Sequence, residues 1–178
     1  TLLPHFKNGQ QNVLNLLSTD AANGKSYLAQ ELETYWISIG LQVRRLTYDE
    51  DFLAEDSRYV MAKDIKDLCP DIQPEEIAII EYPNLNDHSI ATALLNLGTV
   101  NLMVTRANRT WKDVDQKALK ELQSQLDNKE SLYMYLTESS RYAVEEFVGQ
   151  LPPYTKFKNF VYRISQLGLT ATENSRSL

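Results

Sequence analysis

The sequence predicts a layered α/β domain built on a mostly parallel central sheet. Three observations predict it. Short apolar runs alternate with longer amphipathic stretches, glycine and proline fall between them, and the balance of 43% hydrophobic to 24% charged residues is that of a globular chain. At 178 residues the chain is long enough to bury about two-thirds of its surface as one domain. The expected domain covers residues 1–168, with residues 169–178 as a polar, flexible tail.

The elements follow in order. Val13–Leu17 reads as a first strand, and Lys25–Ile39 as a helix with Leu28, Leu32, Tyr35, Trp36 and Ile39 on its apolar face, ended by Gly40. Val43–Tyr48 is a second strand interrupted by Arg44 and Arg45. Arg58–Leu68 reads as a helix stopped at Cys69-Pro70, and Ile77–Tyr82 as the most apolar strand, bounded by Pro74 and Pro83. Ile90–Leu97 is a short helix before Gly98, Val100–Thr105 the next strand, and Trp111–Leu126 a helix with Val114, Ala118, Leu119 and Leu122 inward. Leu132–Thr137 is a fifth strand, on which Tyr133 and Tyr135 share a face and pack on the sheet. Tyr142–Val148 and the basic stretch Lys156–Leu167 read as two further helices.

Several functions are disfavoured by composition. A net charge of −6 argues against nucleic acid as the main partner. Cys69 is the lone cysteine, and His5 and His88 stand far apart in sequence. That excludes a disulfide framework and leaves a Cys/His zinc site without a ligand set. Cys69 then reads as a partly buried apolar filler and His88 as a surface residue at a helix start. No apolar run approaches the roughly 18 residues that a membrane span requires, and no signal peptide is visible. Because the chain opens on Thr1 and not Met, it is expected to be a piece of a larger protein.

The segment Ser18-Thr19-Asp20-Ala21-Ala22-Asn23-Gly24-Lys25-Ser26 carries the chemistry. It follows a predicted strand and opens a predicted helix, where backbone N–H groups and the helix N-terminus can surround a phosphate. Lys25 is placed to reach the outer phosphates and Ser26 to hold magnesium, with Thr19, Asn23 and Gly24 in the cradle. Asp20 works against this, since a carboxylate in an anion cradle repels phosphate.

With that loop placed, the ordered motifs over residues 10–168 resemble the bacterial tyrosine kinases of capsule and exopolysaccharide synthesis, a deviant P-loop group. Gly24-Lys25-Ser26 matches the family's loop ending, with Ala22 and Asn23 where Gly and Glu are usual. Leu46-Thr47-Tyr48-Asp49 aligns with its Asp-x-Asp strand end, and Ile79-Ile80-Glu81-Tyr82-Pro83-Asn84 with its Asp-x-Pro-Pro. Val104-Thr105-Arg106-Ala107-Asn108-Arg109-Thr110 is similar to its Val-Val-Arg-Ala-Gly-x-Thr, and Leu136-Thr137 to its Leu-Asn. Glu145–Pro153 and the basic stretch after it look like homologues fused to a polysaccharide chain-length domain.

The resemblance implies a three-layer P-loop NTPase-like fold with helices on both faces of the sheet. It implies a nucleotide site of Thr19, Asn23, Gly24, Lys25 and Ser26, with Ser26 and Asp49 toward metal and Asp49 and Glu81 as the remaining catalytic acids. Thr47 replaces the first acid and neither supplies negative charge nor takes a proton from a phenol at neutral pH. The family's terminal tyrosine cluster is missing from Thr170–Leu178, and its arginine-bearing first helix from residues 1–12. The expectation is therefore a degenerate kinase-like domain that binds ATP or ADP with Mg2+ weakly or not at all and acts in assembly or docking. It would sit on the cytoplasmic side of the inner membrane, within a larger membrane protein of exopolysaccharide or lipopolysaccharide biosynthesis or export. Its partners would be polysaccharide export or polymerisation membrane proteins, in the same or another chain, with room for a homo-oligomer. The alternative is an active P-loop ATPase or tyrosine kinase with a variant metal site. A small-molecule kinase would need a lid with clustered arginines, which the sequence lacks. Trp111 reads as a helix-start packing anchor, and Lys156, Lys158 and Arg163 as a solvated face or one turned to an anionic membrane.

Overall fold

A computed structural model describes residues 2–7 and 9–140. The chain divides into a unit Thr1–Glu138 and a second unit Ser139–Leu178. The helices expected over Tyr142–Val148 and Lys156–Leu167 and the polar tail lie outside the described residues.

Among the described residues five strands and four α-helices alternate: β1 Asn12–Leu17, α1 Lys25–Ser38, β2 Val43–Thr47, α2 Ser57–Met61, β3 Ile77–Glu81, α3 Thr92–Asn96, β4 Val100–Arg106, α4 Asp113–Gln125 and β5 Leu132–Thr137. The sheet order is β2-β3-β1-β4-β5 and every pairing is parallel. Parallel sheets need both faces covered, which is why β1, β3 and β4 read as near-continuous apolar runs and are buried almost throughout.

The strand pleat sorts the core into two layers. Leu14, Leu16, Ile77, Ile79, Val100, Leu102 and Val104 point to one face, where Leu28, Ala29 and Trp36 of α1 cover them. Val13, Leu17, Ala78, Ile80 and Met103 point to the other, under Tyr59 of α2, Leu94 and Leu95 of α3, and Leu122 of α4. The architecture is thus the expected three-layer α/β sandwich.

Details differ from the sequence reading. Tyr35 on α1 and Ile39, its C-cap, are 57% and 48% exposed, and Ala29 takes the inward place between Leu28 and Leu32. On α4 the inward residues are Asp115 and Leu122, while Val114 is exposed. The helix expected over Arg58–Leu68 is two pieces. Asp56 caps α2, which ends at the extended Ala62, and Asp64 caps a new 3-10 turn at Ile65–Asp67. Arg44 and Arg45 are tolerated because β2 is an edge strand and both are ion-paired, Arg44 to Asp71 and Glu76, Arg45 to Glu33 and Glu81. Cys69 is buried. Tyr133 and Tyr135 stand on the outermost strand β5 and are half exposed instead of packed in the sheet.

Candidate nucleotide site

The loop Ser18–Gly24 joins the carboxyl end of β1 to the first turn of α1. Gly24, the N-cap of α1, is left-handed at φ 87°, and a Cβ there would stand 3.2 Å from Thr137 Cγ2. A side chain would add both backbone strain and a contact that Thr137 would have to relieve. Ala22 also has positive φ, at 55°, the strain expected of a tight loop with only one glycine.

The loop is braced from three strands. After β3, the backbone N–H groups of Leu85 and Asn86 donate to the carbonyls of Ser18 and Thr19 at 2.9 and 3.3 Å. From β5, Thr137 Oγ1 donates to Asn23 O at 3.0 Å. After β4, Arg109 Nη1 donates to Thr19 Oγ1 at 3.1 Å, and its Nη2 bonds both oxygens of Asp115 at 2.8 and 2.9 Å. Asp115 is fully buried at the start of α4. Burial raises its carboxyl, but hydrogen bonds from Thr19, the Lys112 backbone and Arg109, with the charge of Arg109, outweigh it and hold the pKa below the ordinary value. Arg109 Nη2 also lies 3.4 Å from Asp20 Oδ2, so the carboxylate that seemed to oppose an anion has its own cation.

Inside this frame lies a cleft of about 370 Å³, lined by residues 21–27, 47–49 and 81–84. It sits at the carboxyl ends of β1, β2 and β3, beside the strand where the sheet order switches direction, the usual ligand crevice of open α/β sheets. Asn23, Gly24, Lys25, Ser26, Asp49 and Glu81 all line it, whereas Thr19 is turned into the Arg109–Asp115 cluster. Lys25 Nζ donates to Tyr82 O at 2.6 Å and to Asn84 Oδ1 at 3.4 Å. Burial pulls its ammonium down to about 8, with the charge of Glu81 acting the other way. Asn23 is 2% exposed, and its Oδ1 is buried with no hydrogen-bond partner among the described residues.

The acids do not assemble a magnesium site. Glu81 is buried, and its Oε1 already accepts from Arg45 Nη1 and Thr47 Oγ1, each at 3.3 Å. Asp49 is exposed at the rim, with φ 71°. Among the described residues no group of three His, Cys, Asp or Glu side chains could hold a metal ion. The cleft thus offers no all-protein metal cage; a divalent ion there would draw on Ser26 and the acids Glu81 and Asp49 that line it, with oxygens of the bound ligand and water completing its shell.

Sequence reasoning missed the Arg109–Asp115 pair and the Arg45–Glu81 pair. The first left a readable signal, an acid in the first turn of a helix six residues after an arginine. The second joins two strands 36 residues apart and left none. His88, expected at a helix start, precedes α3 instead. Its Nε2 lies 3.3 Å from Tyr48 Oη at the edge of the cleft. Trp111 stands just before α4, where Lys112 and Asp115 form the capping box.

A parallel sheet with this loop at the head of α1 defines a P-loop NTPase-like fold. Among solved structures, the chain is similar to the kinase domain of Escherichia coli tyrosine kinase ETK. The TM-score is 0.55 and the identity 11%, over 78% of this chain and 72% of that one, a likeness of fold. No family model matches the chain, and no curated protein sequence matches it.

Proposed function

We propose that this domain is a kinase-like nucleotide-binding module that has lost phosphoryl transfer and serves assembly or docking. The observation that carries the reading is the contrast within one cleft. Lys25 and Gly24 keep the form of a phosphate loop, while Thr47 replaces an acid and Glu81 is engaged by Arg45. Phosphoryl transfer depends on positioned charge around the moving group, so this loss falls on catalysis more heavily than on binding. Binding rests on the loop N–H groups and Lys25.

The setting we propose is the cytoplasmic side of a membrane-bound apparatus for exopolysaccharide or lipopolysaccharide biosynthesis or export. Its support is the ordered motif resemblance, together with the fold shared with a bacterial tyrosine kinase domain. No helix among the described residues is long and apolar enough to cross a membrane. A second reading, an active enzyme using Asp49 and Glu81, draws on both acids lining the cleft.

Isothermal titration with ATP and ADP separates these readings when paired with a phosphotyrosine assay. We expect binding that weakens at least about tenfold in Lys25→Met, and no phosphotyrosine after incubation with ATP and magnesium. Transfer to tyrosine that is lost in Lys25→Met would establish the active-enzyme reading instead.

A further inference from the structure

We propose that Arg109 is a positioning residue that fits the phosphate loop for an anion by holding the Asp20 carboxylate out of the cleft. The inference rests on the nucleotide reading above and deepens it. It assigns the charge control of that site to a residue that does not line it.

Residues 21–27 all line the cleft, whereas Asp20, the next residue back along the same loop, does not. Its side chain is held outside the lining by two contacts. Oδ1 accepts from Ala21 N at 3.0 Å, and Oδ2 lies 3.4 Å from Arg109 Nη2. The backbone beneath is pinned, because Asp20 O accepts from Ser18 Oγ at 2.8 Å and from Asn23 Nδ2 at 3.0 Å. The Ala21 bond brings no charge, so the counter-charge comes from Arg109.

Arg109 can hold Asp20 because it is itself held. Its Nη2 bonds both oxygens of the fully buried Asp115 at 2.8 and 2.9 Å, and its Nη1 donates to Thr19 Oγ1 at 3.1 Å. One planar guanidinium serves all three partners from a rigid fork, and it stays charged at every ordinary pH. Without it, the Asp20 carboxylate, 56% exposed, would be free to turn toward the loop N–H groups that an entering phosphate needs. Its charge would then oppose that anion at short range.

The test is a mutant cycle read by isothermal titration of the full chain with ADP, and separately with inorganic diphosphate, in magnesium buffer. Arg109→Met with Asp115→Asn removes the buried pair as a unit and leaves no unpaired buried charge. We expect this pair deletion to weaken ADP binding by about tenfold, and Asp20→Asn added to it to restore binding to within about threefold of wild type. With Arg109 in place, Asp20→Asn should strengthen binding by no more than about threefold. No loss on pair deletion, or a loss that Asp20→Asn does not restore, overturns the inference and leaves the nucleotide reading standing. A loop that has merely lost a brace, or a ligand that touched Arg109 directly, is not repaired by removing a neighbouring charge. The expected pattern with diphosphate but no ADP binding supports the inference and rejects the nucleotide reading alone. No binding of either anion rejects both. Should the pair deletion fail to fold by circular dichroism, Arg109→Lys takes its place with the same expected restoration. Its point charge still faces Asp115 but lacks the fork that also reaches Asp20.

Discussion

Asp115 shows how much of the site depends on a single buried charge. It has no solvent exposure, accepts two hydrogen bonds from Arg109 and a third from Lys112 N at 2.9 Å, and through Arg109 reaches Thr19 and Asp20 in the phosphate loop. Its folded pKa is depressed, so the pair stabilises the fold fully above the ordinary carboxylate value of about 4. The contribution fades as pH falls below that value and through the folded pKa. Asp115→Asn removes the buried counter-charge of Arg109, leaving it only the more exposed Asp20, and is expected to cost about 3 kcal/mol in urea unfolding at neutral pH. The gap to wild type should narrow at about pH 3; an equal gap at both would show that the charge is not the cause. Helical periodicity placed Val114 and Leu122 inward and gave no reason to bury an acid, so the one readable signal of Asp115 was its place in the first turn of α4, six residues after Arg109. Lys25 and Gly24 were legible because their meaning comes from neighbours in the chain, a strand before and a helix after.

At the scale of elements, β1 and β4 are joined by more than their ladder. Asn15 pairs in register with Asn101, and Asn15 Nδ2 donates to Asn101 Oδ1 at 2.7 Å and to Leu95 O at 3.0 Å. Asn101 Nδ2 continues to Ser131 Oγ at 2.9 Å, just before β5. Gly98, which reads from sequence as a simple helix stop, is the residue that makes room for this ladder. A Cβ there would fall 2.5 Å from Asn15 Nδ2 and 2.6 Å from Asn101 Oδ1. Gly98→Ala should therefore lower stability by about 1–3 kcal/mol in chemical denaturation, by forcing the two amides apart. A neutral result would mean the ladder is slack. Strand positions were legible because each central strand is a near-continuous apolar run. The broken α2 was not, because Asp56 and Asp64 compete with helix continuation through local side-chain bonds that periodicity does not register.

For the molecule as a whole, the sheet separates two cores that share few residues. Trp36 anchors one and Leu94 the other, both essentially buried. Trp36→Ala is expected to cost about 3–5 kcal/mol and Leu94→Ala about 2–5 kcal/mol. Because a strand layer lies between them, their effects in the double variant should add within about 0.5 kcal/mol. A larger departure, measured by a double-mutant cycle, would mean that the two faces communicate through the sheet. Such communication would bear on function, since the cleft lies at the rim where both faces meet.

That rim has one more property. The three non-glycine residues with positive φ among the described residues are Ala22, Asp49 and Glu138, and each follows a strand at its carboxyl end. Each such conformation costs about 1 kcal/mol relative to ordinary backbone. The chain is thus least relaxed along a single edge, the one that holds the loop, and most relaxed in the strands beneath it. Local opening would then begin at the mouth and leave the slab of strands intact, so the shape offered to a ligand can change while the body of the protein stays folded.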